Sequence, residues 1–178
     1  MTALFGGAFD PIHSGHLAVI EEVKRLGYTR VVLVPSGNPP HKPMQTPFAH
    51  RVAMARLVAE EVSEIESGGE RSYTFDTLQH FPEPRAFVIG ADAFAEIESW
   101  YRWREVLTMT EFIVVSRPGH VYATPPGARV RQLDSLALNV SSSAIRAQLA
   151  QGQRPAELPA PVLAYIEQHH LYRLPPVA

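Results

Sequence analysis

The stretch Gly6-Gly7-Ala8-Phe9-Asp10-Pro11-Ile12-His13-Ser14-Gly15-His16 comes near the start of the chain and organises what lies on either side of it. Residues 2–5, directly before it, predict a short buried strand. After it, apolar residues recur at helical spacing from Leu17 to Leu26 and stop at Gly27, which predicts a helix. The stretch is therefore predicted to be a turn that joins a strand to a helix.

This turn has the features of an anion-binding site. Gly6 and Gly7 let the backbone approach a ligand closely, and Ser14 or Asp10 can cap the helix that follows. The free N–H groups and the positive end of the helix dipole favour a negative charge at this position.

His13 and His16, three residues apart, add two more donors to the turn. One of them could be a capping or core residue, and the two could form a metal pair. A metal pair is less favoured because no third ligand follows at a clear spacing and the His-Glu-x-x-His pattern is missing. We therefore interpret both histidines as ligands of an anion.

The composition restricts the kinds of protein and partner. The 178 residues suit a single domain spanning 1–178, and the formal net charge of −2 argues against a broad surface for nucleic acid or for an anionic membrane. The sequence has no cysteine and no apolar run of membrane-spanning length, and we expect no signal peptide. We expect a cytoplasmic protein without disulfides, and the sequence leaves its oligomeric state open.

Apolar, β-branched runs at 30–34, 85–90 and 111–116 predict buried strands of a parallel sheet, and 129–133 predicts a shorter strand nearer an edge. Helical segments alternate with these strands. The predicted fold class is therefore α/β, a single Rossmann-like doubly wound, mainly parallel sheet flanked by helices. Ligands of such sheets bind at the carboxyl ends of the strands.

The later helices are predicted from caps and prolines. One is expected at 46–59, with Pro47 in its first turn, and another runs from a cap at Ser72 or Thr74 to residue 81. Helices at 93–98 and 161–169 follow, the last with a packing role only. Residues 62–66 could continue the helix before them or form a strand.

The loop 35–43 is rich in proline, which makes it stiff without making it helical. It would hold Lys42 at low entropic cost near the carboxyl end of the second strand, which suits a lysine that meets a phosphate. A solvated loop and a polyproline ligand, from the P-x-x-P spacing of 40–43, are the alternatives.

Two segments in the middle of the chain are further candidates for contacts with a ligand. Asp92 could cap the next helix or accept hydrogen bonds from a ribose, and the sequence favours neither. Trp100 and Tyr101 stand beside arginines, and these residues cannot all point inward from one helix. At least one aromatic is predicted to stack on a flat ring; the overall charge makes single-stranded nucleic acid less favoured.

Three serines at 141–143 predict a helix start and would put Arg146 in the first turn. A cation is unfavourable at that end of the helix dipole unless an anion binds there, so a phosphate would resolve the conflict. An exposed arginine is the alternative, since the mismatch costs only about a few tenths of a kcal/mol.

The three anion-favouring features, at 13–16, at Lys42 and at 141–146, suggest a triphosphate. The Walker and dinucleotide glycine motifs are absent, and neither a catalytic triad nor an acid–base carboxylate pair is evident. Attack by a substrate phosphate on an α-phosphorus needs no protein nucleophile, only alignment and positive charge around the transition state. We predict that His13, His16, Lys42 and Arg146 are the catalytic cations or donors.

The first motif resembles the G-G-x-F-x-P-x-H-x-G-H signature of the nucleotidyltransferase superfamily with H-x-G-H motifs. Many relatives have Ser or Thr where this chain has Ala8, so a hydroxyl contact is lost here while the backbone N–H remains. Further segments, in matching order across nearly the whole chain, resemble motifs of the bacterial nicotinate mononucleotide adenylyltransferases. They lie at 39–42, 72–78, 90–92, 100–101, 116–119, 141–146 and 165–172.

This resemblance implies that ATP and nicotinate mononucleotide give nicotinate adenine dinucleotide and pyrophosphate, with Mg²⁺ held mainly by the ATP phosphates. It implies a mononucleotide site in which Thr74 and nearby N–H groups receive the nicotinate carboxylate, Trp100 stacks on the pyridine ring and Tyr101 contributes backbone contacts. The residues that it implies for ATP binding are Gly6, Gly7, Ala8, His13, His16, Lys42, Gly90, Asp92, Arg117, Ser142 and Arg146.

Two other functions are compatible with the sequence. A sister transferase would use another acceptor, such as phosphopantetheine, or CTP as donor; Trp100 with Tyr101 and the segment around Thr74 argue against it. A non-catalytic nucleotide sensor or a polyproline-displaying partner protein belongs to a different class, and it would tolerate loss of the His16 imidazole.

Overall fold

A computed structural model describes residues 1–39, 46–81, 85–135 and 139–173. None of the helices in these ranges has the length and apolar character needed to cross a bilayer. The strands are β1 Thr2–Gly7, β2 Arg30–Pro35, β3 Glu61–Val62, β4 Arg85–Gly90, β5 Glu111–Ser116 and β6 Val130–Asp134. The helices are α1 Ser14–Arg25, α2 Phe48–Arg56, α3 Thr74–Gln79, α4 Ala91–Ala95, α5 Trp103–Met109, α6 Ser142–Ala150 and α7 Ala160–His169, with a 3₁₀ turn at Ile97–Ser99.

The strands form one sheet in the order β3-β2-β1-β4-β5-β6, and every neighbouring pair is parallel. The chain starts near the centre with β1, builds outward to β3 on one side, and then returns to β4 and continues to β6 on the other. The predicted Rossmann-like α/β fold is confirmed. The change of direction between β1 and β4 opens a crevice at their carboxyl ends, where such sheets bind ligands.

Helices cover both faces of the sheet, and the alternation of strand side chains divides the core between them. Phe5 and Leu33 face the layer made by α1, α2, α6 and α7. Leu4 and Phe87 face the layer made by α3, α4 and α5. The apolar runs in the sequence reflect this arrangement, because strands that are buried on both faces show no polar alternation.

Several element boundaries differ from the predicted ones. α2 begins at Phe48 because Pro47, with a ψ of 141°, stands outside the helix as its cap, and α2 ends at Arg56 rather than at 59. The ambiguous segment near 62–66 contains the two-residue strand β3, which pairs with β2. α5 was not predicted: Arg102, in the left-handed region with a φ of 52°, separates it from the preceding turn.

Candidate active site

Two of the cavities at the carboxyl edge of the sheet contain most of the predicted site residues. The histidine cavity, of about 630 Å³, is lined by the turn after β1, the segments after β4 and β5, the start of α6 and Tyr172. The aromatic cavity, of about 410 Å³, is lined by the end of β1, residues after β2, the segment 72–74 and the segment 93–101. Ala8 lines both cavities, so the two adjoin at the turn that follows β1.

His13 and His16 form a reciprocal cap at the start of α1. Nδ1 of His13 accepts hydrogen bonds from the N–H groups of Gly15 and His16, at 3.1 and 3.4 Å. Nδ1 of His16 accepts from the N–H group of His13 at 3.1 Å. Two histidines thus make a capping box, a motif usually built from Ser or Thr with Glu or Gln. The prediction that Ser14 or Asp10 caps this helix is wrong.

These capping bonds also fix which nitrogen of each ring carries the hydrogen. Because both Nδ1 atoms accept hydrogen bonds, each neutral imidazole is protonated on Nε2, which remains a donor. The rings of His13 and His16 stack with their centroids 3.7 Å apart, and Phe9 packs against His16 at 4.9 Å. The cavity therefore has two donors whose rings are held by the fold rather than by a ligand.

Both imidazoles are neutral at pH 7. Burial lowers the pKa of His13 to about 4, although the nearby carboxylate of Glu157 opposes the shift. Burial, and then the neighbouring His13, lower the pKa of His16 well below its ordinary value of 6.5. The structure therefore presents them as N–H donors rather than as cations, and a bound phosphate would raise both pKa values because it favours the charged ring.

Protonation of His13 should make the folded protein less stable as the pH falls below 7. The pKa of His13 is about 4 when folded against an ordinary 6.5, so the unfolded chain binds more protons and stability is lost across this window. This residue alone should lower the free energy of unfolding by about 2 kcal/mol between pH 7 and pH 5. Urea unfolding at both pH values measures the loss. His13→Asn is the matched variant, because asparagine caps helices without titrating; an equal loss in both proteins would contradict the shift.

The start of α6 docks against the turn after β1. Nη1 of Arg146 donates to the carbonyl oxygen of Asp10 at 2.8 Å, and the hydroxyl of Ser142 donates to that of Pro11 at 3.0 Å. The hydroxyl of Ser141 caps α6 by accepting from the N–H group of Ala144 at 3.3 Å. Arg146 is the fifth residue of α6, one position beyond the predicted first turn. These contacts bring Arg146 into the histidine cavity together with His13 and His16.

The remaining residues predicted for ATP divide between the two cavities. Gly90, Asp92 and Arg117 line the histidine cavity and also a neighbouring cavity of about 250 Å³ that contains Ser116 and His120. Of the two roles considered for Asp92, capping is wrong: Gly90 is the cap residue of α4, and Asp92 lies within the helix and makes no capping bond.

Gly6 and Gly7 line the aromatic cavity instead of the histidine cavity. A Cβ atom on Gly6 would come within 2.6 Å of the Phe87 ring, so this glycine is required for packing under the turn. Lys42 lies outside the residues that the structure describes.

Thr74, Trp100 and Tyr101, the residues predicted for the mononucleotide, all line the aromatic cavity. Trp100 is partly buried and Tyr101 is 49% exposed. The two aromatics stand in the turn between the 3₁₀ segment and α5, so they do not share one helix. Thr74 is the first residue of α3, and neither it nor Ser72 caps that helix through its side chain, contrary to the prediction.

Glu66 ties together the loops around the aromatic cavity. One carboxylate oxygen accepts from the N–H group of Gly37 at 3.0 Å, and the other accepts from the hydroxyl of Thr77 at 2.8 Å. The hydroxyl of Ser72 accepts from the N–H group of Asn38 at 3.2 Å. The segment after β2 is thereby fixed to α3, and no pattern in the sequence indicates this role for Glu66.

Arg51 is a second residue that sequence reasoning missed. Its side chain is fully buried in α2, where its guanidinium donates to three backbone carbonyl oxygens. Nη1 reaches Ala8 at 3.0 Å and Ser36 at 2.7 Å, and Nε reaches Thr46 at 3.1 Å. Arg51 therefore supports the backbone at the position where the two cavities adjoin.

The residues present are compatible with a divalent ion that is held through its ligand. Within the described ranges, no group of three or more His, Cys, Asp or Glu side chains could hold a metal. Asp10 and Asp92 are the carboxylates on the wall of the histidine cavity, and Asp10 already accepts a hydrogen bond from Tyr172. Hard divalent cations take oxygen ligands, so the oxygens of a bound ligand and water would supply most of the coordination.

The chain is similar to known nucleotide-transferring proteins over almost its full length. The profile of the cytidylyltransferase-like family matches residues 4–148. A relative from Solibacter usitatus named "probable nicotinate-nucleotide adenylyltransferase" is 47% identical, and the alignment covers 96% of this chain and 98% of the relative. A relative of the same name from Exiguobacterium sibiricum is 40% identical, with 95% and 97% covered.

Among solved structures, the nicotinic acid mononucleotide adenylyltransferase of Plasmodium falciparum complexed with NaAD shares the fold. Its TM-score is 0.78 at 21% sequence identity, and the alignment covers 96% of each chain. At 21% identity, this similarity shows only that the two proteins share a fold. Membership of a family is shown by the family profile and by the relatives that align over nearly the full length. This chain therefore belongs to the cytidylyltransferase-like family and, within it, to the nicotinate-nucleotide adenylyltransferases.

Proposed function

We propose that the protein transfers the adenylyl group of ATP to nicotinate mononucleotide, giving nicotinate adenine dinucleotide and pyrophosphate in NAD biosynthesis. The observation that carries this proposal is the pair of adjoining cavities. Side chains that can donate hydrogen bonds to phosphates line one cavity, and aromatic side chains line the other. Ala8 lines both cavities. The names of the full-length relatives support the same activity.

ATP would occupy the histidine cavity. The Nε2–H groups of His13 and His16 and the guanidinium of Arg146 would donate to phosphate oxygens, most strongly when negative charge develops in the transition state. The amino-terminal ends of α1 and α6 would add their dipoles. Lys42 would supply a further cation from the loop 35–43, and the N–H group of Ala8 would face the phosphates where relatives also have a hydroxyl.

The remaining ATP contacts would come from the carboxyl ends of β4 and β5 and the residues that follow them. Gly90, Asp92 and Arg117 line the histidine cavity, and Asp92 has no capping role, which supports its use as an acceptor for ribose hydroxyls. The hydroxyl of Ser142 already donates its hydrogen to Pro11, so we expect Ser142 to act through its backbone N–H group.

The reaction would be a direct in-line displacement. An oxygen of the mononucleotide phosphate forms a bond to the α-phosphorus of ATP while the bond from that phosphorus to the bridging oxygen of the β-phosphate breaks. The electron pair of the broken bond leaves with pyrophosphate. The residues of this chain contribute alignment and hydrogen-bond donors, and none becomes covalently modified. Mg²⁺ held by the ATP phosphates would neutralise part of their charge.

Nicotinate mononucleotide would occupy the aromatic cavity. Trp100 would stack on the pyridine ring, because an indole offers a large flat surface, and Tyr101 would contribute backbone contacts. The nicotinate carboxylate would be received by Thr74 and the N–H groups near it, which favour a carboxylate over a neutral carboxamide.

Replacing Trp100 with alanine should weaken binding of nicotinate mononucleotide by about tenfold or more, the usual cost of losing an aromatic platform. The dissociation constant for ATP should not change, because Trp100 does not line the histidine cavity. Calorimetry with each nucleotide separately measures both constants. Trp103→Ala is the matched control, since Trp103 lies outside the lining of the aromatic cavity. Equal losses for the two nucleotides would contradict the assigned role.

A pyrophosphate-release assay with a panel of substrates tests the proposed function. It pairs ATP or CTP with nicotinate mononucleotide, nicotinamide mononucleotide or phosphopantetheine. We expect the highest kcat/KM for ATP with nicotinate mononucleotide, and calorimetry should show weaker binding of the amide. Preference for another acceptor or for CTP would identify a sister transferase, and binding of ATP without turnover would identify a non-catalytic module.

The chain would form a single domain over 1–178, act in the cytoplasm, and have neither a nucleic-acid nor a membrane partner.

A further inference from the structure

Asp10 poses an electrostatic problem for the proposed function, on which this inference rests. Its side chain lies on the wall of the histidine cavity, is only 6% exposed and would face a triphosphate. A buried carboxylate beside a polyanion repels it and lowers its affinity, unless neighbouring groups offset the negative charge. The groups around Asp10 therefore decide whether the cavity can accept ATP.

The hydroxyl of Tyr172 is the donor that reaches this carboxylate. It donates a hydrogen bond to Oδ1 of Asp10 across 162 residues of sequence, and Tyr172 itself lines the same cavity. The guanidinium of Arg146 binds the carbonyl oxygen of Asp10 at 2.8 Å, and Arg51 interacts electrostatically with its carboxylate. Tyr172 thus joins one carboxylate and two guanidinium groups, and its hydroxyl also interacts with the side chain of Thr46.

The position of Tyr172 is set by the end of the last helix. The N–H group of Leu171 donates to the carbonyl oxygen of Ile166 at 3.1 Å, and Tyr172 follows in the left-handed region with a φ of 59°. Burial, and then the hydrogen bond to Asp10, raise the pKa of Tyr172, so its hydroxyl stays protonated and remains a donor. The segment that follows α7 therefore reaches the histidine cavity.

We propose that Tyr172 and Asp10 form a positioning pair for ATP, in which the tyrosine hydroxyl compensates the Asp10 carboxylate so that the cavity can receive the triphosphate. Neither residue takes part in bond making. Their effect is expected on ATP affinity, because the carboxylate repels the nucleotide in the ground state as well as in the transition state.

The test measures the affinity for the α,β-methylene analogue of ATP by calorimetry in the wild type and in four variants. Tyr172→Phe should weaken binding about tenfold, the size expected when a charged group loses a hydrogen-bond partner. Asp10→Asn should bind at least as tightly as the wild type, since the amide oxygen still accepts from Tyr172 and the charge is gone. In the double variant that combines Tyr172→Phe with Asp10→Asn, removal of the Asp10 charge should restore the affinity for the analogue to within about threefold of the wild type.

Tyr165→Phe is the matched control, because that hydroxyl contacts His50 at 2.7 Å and Tyr165 does not line the cavity. It should bind the analogue as the wild type does. Unchanged affinity in Tyr172→Phe would overturn the proposal, and so would a double variant as weak as Tyr172→Phe, since that result indicates lost packing. Thermal unfolding of each variant should show a folded protein at the assay temperature.

Failure of this inference is separable from failure of the proposed function. If the wild type forms the dinucleotide and Tyr172→Phe binds the analogue with unchanged affinity, only the role of the Tyr172–Asp10 pair is overturned. If the wild type binds the analogue but forms no dinucleotide, the proposed function is overturned. The affinities of the variants for the analogue then still test whether Tyr172 and Asp10 position the nucleotide. A wild type that does not bind the analogue overturns both.

Discussion

Replacing His16 with alanine should lower kcat by about 10²–10³-fold while changing the affinity for ATP by less than about threefold, as expected for loss of one transition-state donor. His16 presents Nε2–H to the histidine cavity because its Nδ1 is occupied by the N–H group of His13. A hydrogen-bond donor to the oxygens of the reacting phosphate stabilises the transition state most, because negative charge increases on those oxygens there. Steady-state kinetics with saturating ATP and nicotinate mononucleotide gives kcat, and calorimetry gives the affinity.

Alanine is used rather than glutamine because the amide of glutamine carries N–H donors of its own and could replace the imidazole donor. Since alanine also removes the acceptor that His16 Nδ1 offers to the N–H group of His13, thermal unfolding should show that the variant is folded at the assay temperature. His50→Ala is the matched control, since His50 lies outside the lining of the histidine cavity. A large loss of ATP affinity with kcat unchanged would reassign His16 to ground-state binding, and unchanged kcat would favour a non-catalytic module.

The fold was predictable because its signals are local. Buried strands of a parallel sheet show as apolar runs, and the order of strands and helices then implies a doubly wound sheet. α5 gave no such signal, because aromatic residues at 100–103 fit a turn, a helix or a core equally well. The edge strand β3, two residues long, is fixed by its pairing with β2 and not by its own sequence.

The candidate site was predictable where it follows from topology. Turns after β1, β4 and β5 must meet at one edge of the sheet, so the meeting of His13, Asp92 and Arg117 in one cavity follows from the strand order. Gly6 was assigned to ATP, although the structure shows that its missing side chain accommodates Phe87. A glycine pattern does not distinguish close ligand approach from close packing.

Contacts between distant residues were beyond sequence reasoning. Tyr172 meets Asp10 across 162 residues, and Arg51 meets Ala8 across 43. An arginine on an amphipathic helix usually extends into solvent, so the sequence contains nothing that marks Arg51 as buried. Such residues become recognisable only when the hydrogen bonds of the loop carbonyls are traced.

Replacing Arg51 with methionine should lower the free energy of unfolding by about 3–5 kcal/mol, because three backbone carbonyls lose a charged donor and each unsatisfied buried acceptor costs about 1–3 kcal/mol. The carbonyls belong to Ala8, Ser36 and Thr46, so the loss should also loosen the wall shared by the two cavities. The KM values for ATP and for nicotinate mononucleotide should both rise. Urea unfolding at pH 7 gives the free energy, and kinetics below the unfolding transition gives the KM values.

The matched control is Arg56→Met on the same helix. Arg56 pairs with Glu64 at 2.8 Å, and its side chain is 51% exposed, so its loss should cost no more than about 1 kcal/mol. Arg51→Lys separates charge from geometry: an ammonium keeps the charge but cannot reach three carbonyls in the planar fork of a guanidinium, so it should recover only part of the stability. If Arg51→Met were as stable as Arg56→Met, the buried guanidinium would not support the wall between the cavities. If only the KM for ATP rose, its support would be limited to the histidine cavity.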